Sequence, residues 1–196
     1  MRAYEALLVK WQKAINLVGP ATMPEAWTRH FIDSIQLATF LPESARTLHD
    51  LGSGAGFPGL VLAMARPDLT VTLIESDQKK CAFLTNVSHE TKTPVMVLTQ
   101  RIEKATDSIP APDVVTARAL AALTDLLGYV WPWAQKNPKM ICIFPKGAQA
   151  EAEIRAARHD WAFDLVQEQS ITDSGATILI ITNLLKKIDR KDGPES

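Results

Sequence analysis

The sequence predicts an α/β fold. A Rossmann-type, seven-stranded, mostly parallel sheet carries helices on both faces and follows an N-terminal helical extension. Three observations carry this reading. From Thr47 onward, short apolar segments of strand length alternate with helical stretches. Four glycines within Gly52 to Gly59 follow the first of these strands and open a helix. The part of the chain before Thr47 shows helical periodicity.

In the extension, Tyr4, Leu7, Leu8, Trp11 and Ile15 recur at helical spacing and make one apolar face. Asn16 to Pro20 breaks the pattern. Thr22 and Glu25 then read as a capping box with Pro24 in the first turn, opening a second helix. Trp27, Phe31, Ile35 and Ala38 form its apolar face. Its polar side carries Arg29, His30 and Asp33, which can meet at i, i+3 and i, i+4. Strands are expected at 47–51, 70–75, 95–99, 113–117, 139–144, 164–169 and 177–184, with helices near 58–66, 78–90, 120–135 and 148–160. The last two strands have no helical pattern between them and are expected to pair antiparallel at one edge. From Lys186 the chain is polar and is expected to fray. The predicted division is an extension at 1–45, a sheet domain at 46–187 and a disordered tail at 188–196.

The 196 residues suit one domain, and with 46% hydrophobic and 22% charged residues the composition is that of a globular protein with a sizeable core. No apolar run is long enough to span a bilayer and the first residues are no signal peptide, so no membrane association is expected and a cytoplasmic location is. Cys81 and Cys142 belong to no CxxC pair, and Cys142 sits in an apolar strand as a small hydrophobe. His30, His49, His89 and His159 show no ligand spacing, so no metal is expected. A net charge of −1 is not that of an autonomous nucleic-acid binder. Any contact with nucleic acid has to come from local basic clusters.

The segment Leu48 to Gly59 is the most informative. Glycines between a strand and a helix permit a tight turn and close approach of the backbone to a ligand, at the position where such sheets bind nucleotides. Gly54-x-Gly56-x-x-Gly59 matches the dinucleotide fingerprint, so an NAD-binding oxidoreductase stands as one reading. Three features favour another. Asp50 puts an acid at the strand end, which suits a cationic sulfonium amino acid better than a pyrophosphate. Pro58 lacks the N–H that a pyrophosphate would use. No second domain remains to hold an oxidisable substrate. The second strand ends at Glu75, where such sites hold ribose hydroxyls, and a carboxylate accepts two hydrogen bonds from a diol. After the third strand, Ile102 and Glu103 can offer adenine an apolar wall and an edge partner.

Seven motifs occur in order: WQKAINL at 11–17, RHFIDS at 29–34, DLGSGAGFPG at 50–59, LIESDQKK at 73–80, RIE at 101–103, TARA at 116–119 and KG at 146–147. Together they resemble the ribosomal small-subunit methyltransferase G family, also called glucose-inhibited division protein B. The resemblance runs over nearly the whole chain. It implies a class I S-adenosylmethionine-dependent methyltransferase fold and methylation of N7 of a guanosine in the 530 loop of 16S rRNA. By motif it puts cofactor contacts on Gly52, Phe57, Ile102, Glu103 and Arg118. Glu75 joins them by its strand-end position and Gly54 by its place in the same turn. Arg29, His30 and Asp33 of RHFIDS, with Lys146, are expected to position the RNA, and Lys10 and Lys13 are further candidate anchors. The implied partner is 16S rRNA within the small subunit or an assembly intermediate.

The residues are compatible with that chemistry. Guanine N7 carries an in-plane lone pair and needs no general base. The main task is alignment, an orientation effect of up to about 7–11 kcal/mol in favourable cases. No cysteine is placed for methylation at pyrimidine C5, and no Asn-Pro-Pro-Tyr-type turn accompanies the fourth strand. Arg118 has three readings: a fork on the methionine carboxylate, a grip on an RNA phosphate, or an ion pair with Asp50 or Asp113. Methylation of a small molecule or a protein, and a nucleotide sensor without catalysis, also remain open.

Overall fold

A computed structural model describes residues 1–187; the tail expected at 188–196 lies outside the described residues. The strands are β1 (Thr47–Leu51), β2 (Thr70–Glu75), β3 (Met96–Thr99), β4 (Val114–Ala117), β5 (Ile141–Lys146), β6 (Trp161–Gln169) and β7 (Thr177–Lys186). They form one sheet in the order β3-β2-β1-β4-β5-β7-β6. The first five strands are parallel, and β7 runs antiparallel to both β5 and β6. The order reverses between β1 and β4, so their connections leave in opposite directions and open a crevice at the carboxyl ends.

At the central strands β1, β2 and β4 both faces of the sheet are buried, as a parallel sheet requires, while the edge strands β3 and β6 are largely exposed. Alternate residues serve alternate faces. Leu48, Val71, Leu73 and Val114 join one core with α1 (Arg2–Gln12), α3 (Gly59–Ala65) and α4 (Gln78–Glu90). Leu51, Ile74, Val115 and Ala117 join the other with α5 (Ile102–Ser108), α6 (Leu123–Lys136) and α7 (Ala150–Asp160). Tyr4, Leu8, Leu17, Phe31 and Leu37 belong to the first core, so the N-terminal residues share their apolar interior with the sheet.

The structure departs from expectation in three places. The single second helix is instead a chain of short pieces: a 3₁₀ stretch at Pro20–Glu25, a π turn at Trp27–Ile32, α2 at Asp33–Ile35 and a second 3₁₀ stretch at Gln36–Phe40. There is no capping box. The Thr22 hydroxyl donates to the Gly19 carbonyl at 2.7 Å and pairs with His30 Nε2 at 2.8 Å. The helix α5 was not expected; its seven residues are too few for a periodic signal, and no side chain caps its start. Lastly, β6 starts at Trp161 and β7 runs on through Lys186, because those two residues pair with each other. Ladder pairing thus orders the point where fraying was expected.

Candidate cofactor and substrate cleft

The turn after β1 is held open by backbone conformation. Gly52 has φ +57° and Gly54 φ +56°, in the left-handed region where a Cβ is strained. A Cβ at Gly54 would meet only the Gly52 carbonyl, at 3.7 Å, so the turn offers bare backbone to a ligand. At Gly52 the added atom would lie 2.5 Å from Leu120 Cδ1. The space above Gly52 is therefore taken by the loop after β4, so a valine there would clash with this loop as well as crowd a ligand.

The strand-end acids do less in the open than expected. Asp50 is fully buried beneath the turn and lines neither of the two cavities at it. Its Oδ1 accepts from the Thr116 hydroxyl at 2.8 Å, and Oδ2 has no partner among the described residues. Burial raises its pKa to about 6. It cannot face a cationic ligand as proposed, because Gly59 packs over it: a Cβ there would lie 2.7 Å from Asp50 Cβ. Glu75 braces the turn. Its Oε2 accepts from Gly54 N at 2.9 Å, and its Oε1 accepts from Ser76 N and Asp77 N at 2.7 and 2.8 Å. A carboxylate has about four acceptor positions, so one is left for a ligand.

Two cavities adjoin at this turn, and both are lined by Gly52, Gly54, Lys80, Ala119 and Ala121. The smaller, about 350 Å³, is walled by Glu75, Gln100, Ile102, Glu103, Leu120 and Tyr129. It brings Glu75, Ile102 and Glu103 together in one wall. The larger, about 600 Å³, runs past Phe57 and Arg118 to Arg29, His30, Asp33 and Lys146. A bare glycine turn flanked by an acid and an apolar wall on one side, and by an arginine on the other, fits a nucleoside joined to an amino acid.

Arg118 sits between cavity and extension. Its Nη1 donates to the Arg29 carbonyl at 2.9 Å and to Asp33 Oδ2 at 3.1 Å. Its Nη2 lies 3.1 Å from His30 Nδ1, and its guanidinium stands over the Phe57 ring, 5.2 Å from the centroid. The ion pair foreseen with Asp50 or Asp113 is instead made with Asp33; the Asp113 carboxylate accepts from Arg46 N, Thr47 N and the Thr47 hydroxyl. An arginine can only donate, so His30 Nδ1 is the acceptor and Nε2 carries the hydrogen, directed at Thr22 Oγ1. Burial, reinforced by Arg118, lowers the His30 pKa to about 4. The ring is neutral and stacks on Phe57 with centroids 5.1 Å apart. Asp33 Oδ1 accepts from Gln36 Nε2 and from the Thr172 hydroxyl, at 3.0 and 2.8 Å.

The remaining candidates separate. Arg29 is half-exposed at the rim, 3.9 Å from Asp173. Lys10 and Lys13 are exposed and line neither cavity. Lys146 is no free cation for RNA: its side chain is only 9% exposed and its Nζ is 2.8 Å from Glu153 Oε2. It also donates to the Ala121 carbonyl at 2.6 Å. Cys142 is buried, which pushes its thiol up to about 12, far from a nucleophile. Sequence reasoning missed Thr22, Leu120, Glu153 and Lys80. Lys80 was within reach, because it stands in LIESDQKK; it lines both cavities, and its ammonium has no partner among the described residues.

The profile of one protein family, described as rRNA small subunit methyltransferase G, matches residues 1–182. The chain belongs to that family. The family protein of Paramagnetospirillum magneticum, named ribosomal RNA small subunit methyltransferase G, is 50% identical over 180 residues, covering 91% of this chain and 85% of its own. The one from Parvibaculum lavamentivorans, of the same name, is 46% identical, with 93% and 81% covered. Among solved structures, an O-methyltransferase from Bacillus cereus in complex with SAH superposes with a TM-score of 0.61 at 15% identity, covering 92% of this chain and 90% of that one. Magnesium protoporphyrin IX methyltransferase from Synechocystis, with bound SAM, gives 0.60 at 13% identity, with 92% and 97% covered. At such identities these two show a shared methyltransferase fold. Family membership sets aside the NAD reading of the glycine turn.

Proposed function

We propose that this chain transfers a methyl group from S-adenosylmethionine to N7 of a guanosine in the 530 loop of 16S rRNA. The observation that carries the chemistry is that the inner base candidates of the larger cavity, His30, Asp33 and Glu153, are already engaged, while Asp173 at its rim accepts from Gly175 N at 2.8 Å and stands 3.9 Å from Arg29. His30 uses one ring nitrogen on Arg118 and the other on Thr22. Asp33 holds Arg118, Gln36 and Thr172. Glu153 holds Lys146 and the Leu123 amide. An acceptor that must first lose a proton finds no free base among these three, whereas guanine N7 has none to lose. Family membership points to the same acceptor.

When bound, the cofactor supplies an electrophilic methyl group on a sulfonium. The chain's part is to bind and align. Glu75 has one acceptor position left for a ribose hydroxyl. Ile102 and Glu103 wall the side where the adenine would lie. Arg118 faces the larger cavity, where its unused N–H groups suit the methionine carboxylate. Arg29 at the rim is the exposed cation on the RNA side. A chain of net charge −1 supports RNA already shaped within the small subunit or an assembly intermediate as substrate. Such a substrate supports a cytoplasmic location; among the described residues no helix is long and apolar enough to cross a membrane.

Mass mapping of 16S rRNA from a strain lacking this gene is the test. Loss of the 530-loop N7 methyl group, restored by the gene in trans, is the expected result. Its retention in the deletion strain overturns the assignment.

A further inference from the structure

Resting on that reading, we infer that Lys146 and Glu153 are positioning residues for the cofactor, acting through the loop between β4 and α6, and not anchors for RNA. The loop runs from Arg118 to Ala122 and separates the two cavities. Ala119 and Ala121 line both, and Leu120 lies on Gly52 of the glycine turn. Its backbone is not at rest. Ala119 has φ +51°, a left-handed conformation that a residue with a Cβ keeps only where its surroundings hold it.

What holds it is on the page. Lys146, from the end of β5, donates to the Ala121 carbonyl at 2.6 Å. Glu153, from α7, accepts from the Leu123 amide at 2.7 Å. That amide is at the start of α6, whose N-cap residue, Ala122, offers no side chain to the orphan donors there. Lys146 and Glu153 then close on each other at 2.8 Å. The pair thus grips the loop on both sides of Ala122. Burying an ammonium is costly unless its donors are met, and here two of its three are met by this carbonyl and this carboxylate. With the grip released, Ala119 can relax towards right-handed φ, and Leu120 loses its seat on Gly52. Both walls of the cofactor site then move, while Arg118, fixed by the Arg29 carbonyl, His30 and Asp33, keeps the rim around Arg29 in place.

Lys146→Met keeps the apolar stem and removes the ammonium; Glu153→Gln keeps an acceptor for Leu123 N and removes the charge. Calorimetry with S-adenosylmethionine in the absence of RNA is expected to show each variant weakened about tenfold or more, the scale of one lost charge-assisted hydrogen bond. The double variant should be little weaker than either single one, since both break one unit. The RNA KM at saturating cofactor should stay unchanged. A raised RNA KM in Lys146→Met with normal cofactor affinity makes Lys146 a direct RNA anchor and overturns the inference. So does a lowered melting temperature in both variants with normal cofactor affinity, which leaves only a structural pair. Should Lys146→Met not fold, Glu153→Gln, altered at a partly exposed side chain, carries the same test. Wild-type protein is the control: absence of cofactor binding there overturns the functional reading itself.

Discussion

At Asp50 and His30, burial acts on groups of opposite charge and moves their titrations towards each other. The Asp50 carboxyl, fully buried, is pushed up to about 6, and the His30 imidazole is pushed down to about 4. The signs of their contributions to stability differ. Asp50 stabilises the fold when protonated, below the ordinary carboxylate range, and this is lost as pH rises through about 6. His30 stabilises when neutral, above the ordinary histidine value, and this is lost as pH falls through about 4. The wild-type profile sums both, along with His49, whose burial also lowers its pKa to about 4. Comparison with Asp50→Asn isolates the carboxyl. In urea unfolding, the stability of wild type relative to Asp50→Asn is expected to fall by on the order of 1–3 kcal/mol between pH 4 and pH 7. Parallel profiles would refute a buried, raised carboxyl. Independently, nitrogen NMR should find His30 neutral at pH 7 with hydrogen on Nε2; titration near its ordinary value would contradict the Arg118 and Thr22 contacts.

At the scale of elements, α1 is part of the site although it is remote from it in sequence. Tyr4 is fully buried, its hydroxyl donates to the Ala55 carbonyl inside the glycine turn, and its ring stacks on Phe57 at 5.2 Å. Tyr4→Phe keeps the stack and leaves that carbonyl unmet. It is expected to lower unfolding free energy by about 0.5–1.5 kcal/mol and to speed amide exchange at Gly56. Unchanged exchange at Gly56 would show that the helix does not brace the turn. The apolar face of α1 was legible because Tyr4 and Leu8 recur at helical period; the hydroxyl's target 51 residues away was not. The same division holds elsewhere. The strands showed themselves through period and composition, which are local. The broken course of residues 20–40 did not, because contacts from Arg118 and the β6–β7 turn shape it. Glu75 was found by its place at a strand end, but its donors come from the turns around it. Lys146 was singled out as a motif residue, but its contacts to Glu153 and the Ala121 carbonyl appear only on folding.

Arg118 joins three parts of the molecule that the sequence keeps far apart. It projects from the end of β4, the middle of the sheet. Through the Arg29 carbonyl, His30 and Asp33 it holds the N-terminal segment. Asp33 in turn takes the Thr172 hydroxyl, and neighbouring Gln36 accepts from Ile171 N at 2.9 Å and donates to Ser170 Oγ at 3.2 Å, which docks the β6–β7 turn. One planar fork with fixed donors suits a site where a carbonyl, a carboxylate and an imidazole converge; a single ammonium cannot meet all three in those directions. With three contacts made and the guanidinium 5.2 Å from the Phe57 centroid, its position is set before any ligand arrives. Arg118→Lys is therefore expected to weaken S-adenosylmethionine binding, measured without RNA, by about 1.5–3 kcal/mol. It should also raise hydrogen exchange at the Ile171 amide, because Asp33 loses its main counter-charge and the turn it holds loosens. Normal cofactor affinity with a raised RNA KM would move Arg118 to a phosphate. Normal values for both, with faster exchange at Ile171 and a lower Tm, would leave it only the task of tying the extension and the turn to the sheet.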